Sequence, residues 1–426
     1  MSRYQEVIDY LYQALPMYQR VGAVAYKNDL NNTLRLCEAL GNPERKFKSV
    51  HIAGTNGKGS TSHMLAAILQ SAGYQTGLYT SPHLKEFTER IKINGREIEP
   101  GFVVDFVDRM RKVMDEIKPS FFEMTVGMAF DYFARQHVDI AVIEVGLGGR
   151  LDSTNVVSPE LSVITNISFD HKALLGDTLS KIAFEKAGII KEGVPVIVSE
   201  RQEQVEDVFI TRAAHAHSSL VFASDNLQLQ HGSAGFDVYQ NGSLWLEGLV
   251  PGLKGIYQRH NLPGILAAVL ALKEKGYRIP DNAVHQGISE VIERTGLKGR
   301  WQTLRLQPLT ICDTGHNEAG IREVVNQIRQ TPHRRLHMVI GMVNDKDIRD
   351  ILKLLPKDAV YYFCQASIPR ALDANELARE GLLEDLHGTV VRNVNKALSM
   401  ALKNADDDDL IFVGGSTFVV GEVDDL

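Results

Sequence analysis

Between Phe47 and about Ala223 the chain alternates short apolar runs with stretches of helical period. The pattern predicts a strand Val50 to Ala53, then helix 58–73, strand 76–80, helices 101–117 and 121–136, strands 138–145 and 161–167, helix 178–190 and strand 194–198. Alternation of this kind builds a mostly parallel sheet with helices on its faces. Ile140-Ala-Val-Ile-Glu-Val145 and Leu161-Ser-Val-Ile-Thr-Asn-Ile167 are nearly unbroken apolar runs, as central parallel strands covered on both faces require. Residues 225–250 break the pattern, because two alternating runs flank Asn241-Gly242; they predict a small antiparallel hairpin appendage.

Helical periods return at 262–276 and 281–293. Thr295-Gly-Leu-Lys-Gly-Arg300 then interrupts them with two glycines and basic residues, an interdomain linker by composition. A second α/β series follows, with strands near 302–312, 336–341, 359–364 and 410–414 and helices near 318–330, 346–355, 374–384 and 394–404. The expectation is an α/β protein of two domains: residues 1–296, a P-loop-containing, mostly parallel sheet, and residues 297–426, a smaller Rossmann-like α/β domain. The acidic run Asp406 to Asp409 reads as a solvated turn.

Composition narrows the function classes. The chain has 426 residues, 44% hydrophobic and 23% charged, enough for two ordinary cores. A net charge of −7 without a polybasic run argues against nucleic acid as a partner. No stretch approaches a membrane span or a secretory signal core, so a cytoplasmic protein with no membrane association is expected. Cys37, Cys312 and Cys364 are too few and scattered for a disulfide framework or a zinc site.

The most informative segment is Phe47-Lys-Ser-Val-His-Ile-Ala-Gly-Thr-Asn-Gly-Lys-Gly-Ser-Thr61, where a strand runs into a glycine-rich turn and then a helix. Backbone N–H groups freed by Gly54, Gly57 and Gly59, the helix N-terminus and the Lys58 ammonium converge there on a polyphosphate. Ile52 and Gly59 depart from the strict phosphate-loop pattern, so the assignment rests on the strand before the turn and the helix after it.

Other short segments sit at strand ends, where open α/β sheets gather ligands. Thr80-Ser81-Pro82-His83 brings hydroxyls, Glu144 puts one carboxylate at the tip of a buried strand, and Asp170-His171 adds an acid and an imidazole. Ser81 and Glu144 with phosphate oxygens make a credible Mg²⁺ site, with His171 a less usual addition. An ion pair with Arg150 or Lys186 is the competing reading of Glu144. Lys186, by periodicity, is a plain helix lysine. In the second domain Asp313-Thr-Gly-His316-Asn317 again ends a strand with an acid, a glycine turn and an imidazole, so the sheet tips of both domains are expected to face one cleft.

Taken together, GTNGKGS at 54–60, YTSPH at 79–83, VIEVGLGGRLDSTN at 142–155, DH at 170–171, EKAGIIK at 185–191, YQRHN at 257–261 and DTGHN at 313–317 resemble the folylpolyglutamate synthase/dihydrofolate synthase family, relatives of the Mur ligases. The resemblance runs from about residue 25 to the C-terminus. It implies an ATP-dependent ligase that phosphorylates a pterin-linked carboxylate and couples it to L-glutamate, acting on dihydropteroate, a reduced folate or both; folylpolyglutamate synthase alone, a Mur-type ligase and a nucleotide-binding regulatory module are the rivals. It implies that Gly54, Thr55, Asn56, Gly57, Lys58, Gly59 and Ser60 hold the nucleotide with Asn261 and Arg300, and that Ser81, Glu144 and His171 ligate Mg²⁺. Lys186 matches a lysine carried as a carbamate that binds a second Mg²⁺. Asp313 and His316 would position glutamate and the transferring phosphate, which with Lys58 and Lys186 makes four candidate catalytic residues. Phe122, Asp152 and Asn155 would meet the pterin-aminobenzoate end, in an enzyme expected to be a monomer. Gly264 and Thr314-Gly315 depart from the commoner residues of relatives.

Overall fold

The computed structural model describes residues 2–17, 29–344 and 348–426. The start of the resemblance near residue 25, and the first residues of the helix expected at 346–355, lie outside them. The chain forms two compact units, residues 1–252 with 258–297, and residues 253–257 with 298–426. The chain crosses between units inside the Thr295–Arg300 segment. The five residues 253–257, which the sequence reading left in the first domain, belong to the second unit, fastened there by Ile256 N donating to Gln327 Oε1 at 2.8 Å and Gln327 Nε2 to the Lys254 carbonyl at 2.9 Å.

In the first unit the strands are β1 (Lys48–Ala53), β2 (Thr76–Tyr79), β3 (Ile91–Ile93), β4 (Arg96–Glu97), β5 (Ile140–Glu144), β6 (Leu161–Ile164), β7 (Val196–Val198) and β8 (Leu220–Phe222). They form one sheet in the order β4-β3-β2-β5-β1-β6-β7-β8, parallel except for the β3 and β4 edge. That edge hairpin was not legible in the sequence because its two strands are only three and two residues long. β1 lies between β5 and β6, with Ile52 opposite Glu144 and Ala53 opposite Ile164. The carboxyl ends of the central strands are thereby level, and every loop that leaves them starts from the same sheet edge. One apolar cluster joins the helices Arg3–Ala14, Pro100–Ile117 and Phe121–Arg135; another gathers around Leu179–Ala187 and Glu206–His215.

The appendage has three strands, β9 (Leu227–His231), β10 (Phe236–Gln240) and β11 (Ser243–Leu249), in the order β11-β10-β9. Asn241 and Gly242 both take positive φ (49° and 81°), the conformation that the Asn-Gly pair tolerates in a tight hairpin turn. The helical run expected at 281–293 is two helices, Asp281–Ser289 and Val291–Thr295.

The second unit holds β12 (Gln302–Leu306), β13 (Leu309–Cys312), β14 (Leu336–Ile340), β15 (Val360–Phe363), β16 (Gly388–Val390) and β17 (Leu410–Gly414), ordered β12-β13-β17-β14-β15-β16 and parallel apart from β12. The single strand expected at 302–312 is a hairpin turned at Gln307-Pro308, since proline has no N–H for a ladder and fits the turn. The acidic run departs from a wholly solvated turn. Asp406 to Asp408 are exposed, but Asp409 is buried and accepts from Arg335 N (3.1 Å), Asp406 N (2.9 Å) and His337 Nε2 (3.3 Å). A buried carboxylate with that many donors is a structural joint between the run and β14. Asp409→Ala is therefore expected to destabilise by about 1–3 kcal/mol, while Asp407→Ala stays within about 0.5 kcal/mol; urea unfolding of the two variants measures the contrast.

Candidate active site

The site is assembled where β1 ends. Gly54 and Gly57 take φ of 141° and 85°, and both are pressed against neighbours: a Cβ on Gly54 would lie 1.8 Å from Thr165 Oγ1, and one on Gly57 would lie 2.1 Å from Asn261 Oδ1. Only glycine combines these dihedrals with that approach. The loop then opens the helix Lys58–Ser71, capped by Gly57, whose first intrahelical bond runs from Thr61 N to Gly57 O at 2.9 Å. The amides of Lys58, Gly59 and Ser60 precede that bond and carry the positive end of the helix dipole.

The predicted loop members divide into two groups. Thr55 N donates to Asn166 O (2.8 Å) and Asn56 N to Asn166 Oδ1 (3.0 Å), while Thr55 Oγ1 donates to Ser168 O (3.1 Å). Thr55 and Asn56 thus tie the turn to the segment after β6, leaving the amides from Lys58 onward for an anion. Ser60 Oγ receives Gln258 Nε2 (3.2 Å), and Gln258 Oε1 receives Asn261 Nδ2 (2.8 Å), so Asn261 stands against the turn. Gln258, Thr165 and Asn166 were not singled out in the sequence; Gln258 lies within the YQRHN segment, the only signal available for it.

Two lysines converge on one oxygen. Lys58 Nζ donates to Gly54 O and Thr55 O, both at 3.0 Å, and Lys186 Nζ donates to the same Gly54 O at 2.8 Å. Their ammonium nitrogens are separated by no more than those two bonds laid end to end. Lys186, on helix Leu179–Ala187, is only 4% exposed; burial, and next the Lys58 charge, push its pKa down to about 7, against the opposing pull of Asp170 and Asp152. An amine near neutrality on a buried wall is nucleophilic at physiological pH, as carbamate formation demands.

At the neighbouring strand ends, Glu144 Oε2 accepts Ser81 N at 3.2 Å, so the structure joins these two candidates. Of the two cations considered for Glu144, Arg150 pairs with Glu185 (2.9 Å) and Lys186 donates to Gly54 O (2.8 Å). His171 caps a short helix in left-handed backbone (φ 50°), its Nε2 3.9 Å from Asp170 Oδ1. Among the described residues no cluster of three or more His, Cys, Asp or Glu side chains is arranged to hold a metal ion by itself. The Ser81 hydroxyl and the Glu144 carboxylate, brought together here, are oxygen donors that suit an ion taking its remaining ligands from phosphate and water, the habit of Mg²⁺; His171 is placed against Asp170.

Phe122 and Asp152 meet over Gly146, where a Cβ would lie 2.4 Å from the Phe122 ring and 3.2 Å from Asp152 Oδ2. Asn155 is committed to the backbone, its Nδ2 donating to Arg150 O (3.0 Å) and Gly188 O (3.1 Å). In the second unit, Asp313 is buried and accepts from Tyr257 Oη (2.6 Å), Trp301 N (2.7 Å) and Gly315 N (2.8 Å); burial raises its pKa. These bonds make it the brace of the turn that presents His316, whose Nδ1 donates to Thr314 O at 2.9 Å. Arg300 bonds Thr314 Oγ1 and Gly299 O within the same unit.

A glycine turn with two lysines, at the carboxyl edge of a parallel sheet, defines a nucleotide site built for phosphoryl transfer. Comparison with known proteins agrees. Residues 52–271 match the Mur ligase middle domain and residues 299–417 the Mur ligase glutamate ligase domain. The dihydrofolate synthase/folylpolyglutamate synthase of Bacillus subtilis is 31% identical over 93% of this chain and 94% of its own. A probable bifunctional folylpolyglutamate synthase/dihydropteroate synthase of Haloferax volcanii is 32% identical over 98% of this chain, which spans only 50% of that longer protein. Among solved structures, Escherichia coli FolC in complex with DHPP and ADP superposes with a TM-score of 0.87, at 28% identity over 99% of this chain and 96% of that one. A bifunctional folylpolyglutamate synthase/dihydrofolate synthase of Yersinia pestis complexed with AMPPNP and a Mn ion gives 0.85, at 28% identity over 99% and 97%. The chain belongs to the folylpolyglutamate synthase/dihydrofolate synthase family of the Mur ligase superfamily. Among the described residues no helix is long and apolar enough to cross a membrane.

Two substitutions test the loop. Gly57→Ala adds a left-handed strain of about 1–3 kcal/mol and a clash with Asn261, so calorimetry should register weaker binding of a nonhydrolysable ATP analogue. Lys186 has a folded pKa below its unfolded 10.5, so its burial costs stability below about pH 7, and the cost is relieved as pH rises from 7 to 10.5. Lys186→Met should accordingly raise the melting temperature at pH 7, by a gain of about 0.5–2 kcal/mol, while removing activity; a lowered melting temperature contradicts the assignment.

Proposed function

We propose that this chain is an ATP-dependent amide ligase that adds L-glutamate both to dihydropteroate and to reduced folates. The observation that carries this reading is the helix N-terminus that opens after Gly57 with the Lys58 ammonium beside it: free amides and a cation at the end of a parallel strand call for an anion, and a triphosphate supplies it. Family membership fixes the class of chemistry, and the names of the relatives supply the substrates.

A carboxylate resists an amine because its own charge repels the nucleophile and oxide is a poor leaving group. In the reaction, a carboxylate oxygen of the pterin-linked acid bonds to the γ-phosphorus as the bond to ADP breaks. The glutamate amine then attacks the acyl carbon, inorganic phosphate departs, and the amine gives up a proton. Lys58 and the amides after Gly57 neutralise charge on the transferring group. Bound Mg²⁺, held by Ser81, Glu144 and His171, would offset phosphate charge, and Lys186 as a carbamate would supply an oxygen donor for a second ion. Asn261 and Arg300 are assigned to the nucleotide, and His316, braced by Asp313, to glutamate and phosphate. Phe122 offers an aromatic face and Asp152 a carboxylate to the pterin end, with Asn155 holding their loop. We take the enzyme to be a cytoplasmic monomer with no nucleic-acid or membrane partner, in keeping with its negative charge; light scattering checks the first point.

Phosphate release should require both an acceptor and glutamate, with dihydropteroate and tetrahydrofolate each active. Turnover with only one acceptor reduces the reading to a single synthase, and turnover only with UDP-muramyl acceptors replaces it. Lys58→Ala should abolish glutamate-dependent ADP formation. Lys186→Ala should recover part of its activity when a short carboxylic acid is added; failure of rescue, with mass spectrometry finding a bare amine in the active wild type, removes the carbamate.

A further inference from the structure

A buried chain of hydrogen bonds runs from the phosphate-loop strand to Asp152. His51, in β1 and three residues before Gly54, places Nε2 2.8 Å from Thr154 Oγ1, and Thr154 Oγ1 donates to Asp152 Oδ1 at 2.5 Å. His51 and Thr154 are fully buried and Asp152 is 3% exposed. The direction of the chain follows from donor chemistry. Burial raises the Asp152 pKa, and the bonds it accepts from Thr154 and Leu147 oppose that rise; in its ionised form the carboxylate only accepts, so the threonine proton goes to Asp152, the threonine oxygen accepts, and His51 carries its proton on Nε2. Burial keeps the imidazole neutral, holding its pKa down at about 3. His51 Nδ1 has no protein hydrogen-bond partner, so the Thr154 contact is the ring's one protein hydrogen bond.

The other bonds to Asp152 fix its plane. Thr154 N donates to Oδ1 (3.0 Å), and Leu147 N donates to Oδ2 (2.9 Å). Oδ2 is also the oxygen that faces the position over Gly146 occupied by the Phe122 ring. One edge of the carboxylate is thus locked by the threonine, and the other lies near the edge of the Phe122 ring.

We propose that His51 and Thr154 are positioning residues for recognition of the acceptor substrate: they hold Asp152 so that Oδ2 takes N–H donors from the amino-bearing heterocycle of a pterin stacked near Phe122. This deepens the proposed function and rests on it. The class of ligand is a flat aromatic heterocycle with adjacent N–H donors, which an ionised carboxylate pairs with and an aromatic ring covers. Neither positioning residue touches substrate; both act through Asp152.

The test separates this role from general stability. Thr154→Val keeps the shape and removes the hydroxyl, Thr154→Ser restores it, and His51→Gln keeps an N–H donor that His51→Leu lacks. Thr154→Val should raise the KM for dihydropteroate about tenfold, the equivalent of about 1.4 kcal/mol, with the KM for ATP and kcat changed less than about twofold; Thr154→Ser should return most of the loss. His51→Leu should act in the same direction, and its combination with Thr154→Val should add little, since both cut one chain. Direct binding of dihydropteroate to each variant should follow the same order. The inference is overturned if the KM values for ATP and dihydropteroate rise together, if serine fails where valine fails, or if melting temperatures fall with the dihydropteroate KM unmoved. Should Thr154→Val not fold, His51→Leu compared with His51→Gln decides between the same outcomes. A wild-type protein that ligates nothing removes the proposed function itself; a wild type that ligates, with variants unchanged in acceptor KM, removes only this inference.

Discussion

The carbonyl oxygen of Gly54 is the constraint on which the site depends. It accepts from Lys58 and Lys186 at once, and the two ammonium groups repel each other through a poorly solvated space. Such an arrangement persists in a folded chain only if the rest of the structure enforces it, and here it does. The glycine dihedrals turn the chain at the end of the strand, Asn166 pins the amides of Thr55 and Asn56, and the Leu179–Ala187 helix delivers Lys186 to the same carbonyl. Burial and the Lys58 charge make the ammonium form of Lys186 costly, and the fold bears that cost.

The parallel sheet explains how separate segments reach this point. Because β1, β2, β5 and β6 run in the same direction with their registers level, the residues just past each strand are neighbours in space although up to 113 positions separate them in the chain. Ser81 and Glu144 meet for this reason, as do Thr165 and Gly54. The second unit uses the same logic at the end of β13, where Asp313 gives its acceptor sites to Tyr257, Trp301 and Gly315 and so shapes the turn carrying His316.

Much of this was legible before any coordinates. The phosphate turn announced itself through strand, glycines and lysine, and the periods of long apolar runs found most central strands and helices. What escaped was short or depended on partners remote in sequence. The β3–β4 edge is too brief to show a period, and the break at Gln307-Pro308 lay inside a run that reads as one strand. Asp409 looks like its exposed neighbours until β14 brings His337 to it. His51, an imidazole in an apolar strand, reads as a core residue; only the fold brings Thr154 and Asp152 beneath it. Lys186 was bland by periodicity, and its significance came from resemblance and then from the shared carbonyl.

The most direct measurement is the titration of the Lys186 side chain by ¹³C NMR of selectively labelled protein, in buffer depleted of carbon dioxide, with and without a nonhydrolysable ATP analogue. The account predicts a midpoint near 7 in the free protein and a clear rise once phosphate occupies the turn. A midpoint at the ordinary value of 10.5, or one that nucleotide leaves unmoved, contradicts it.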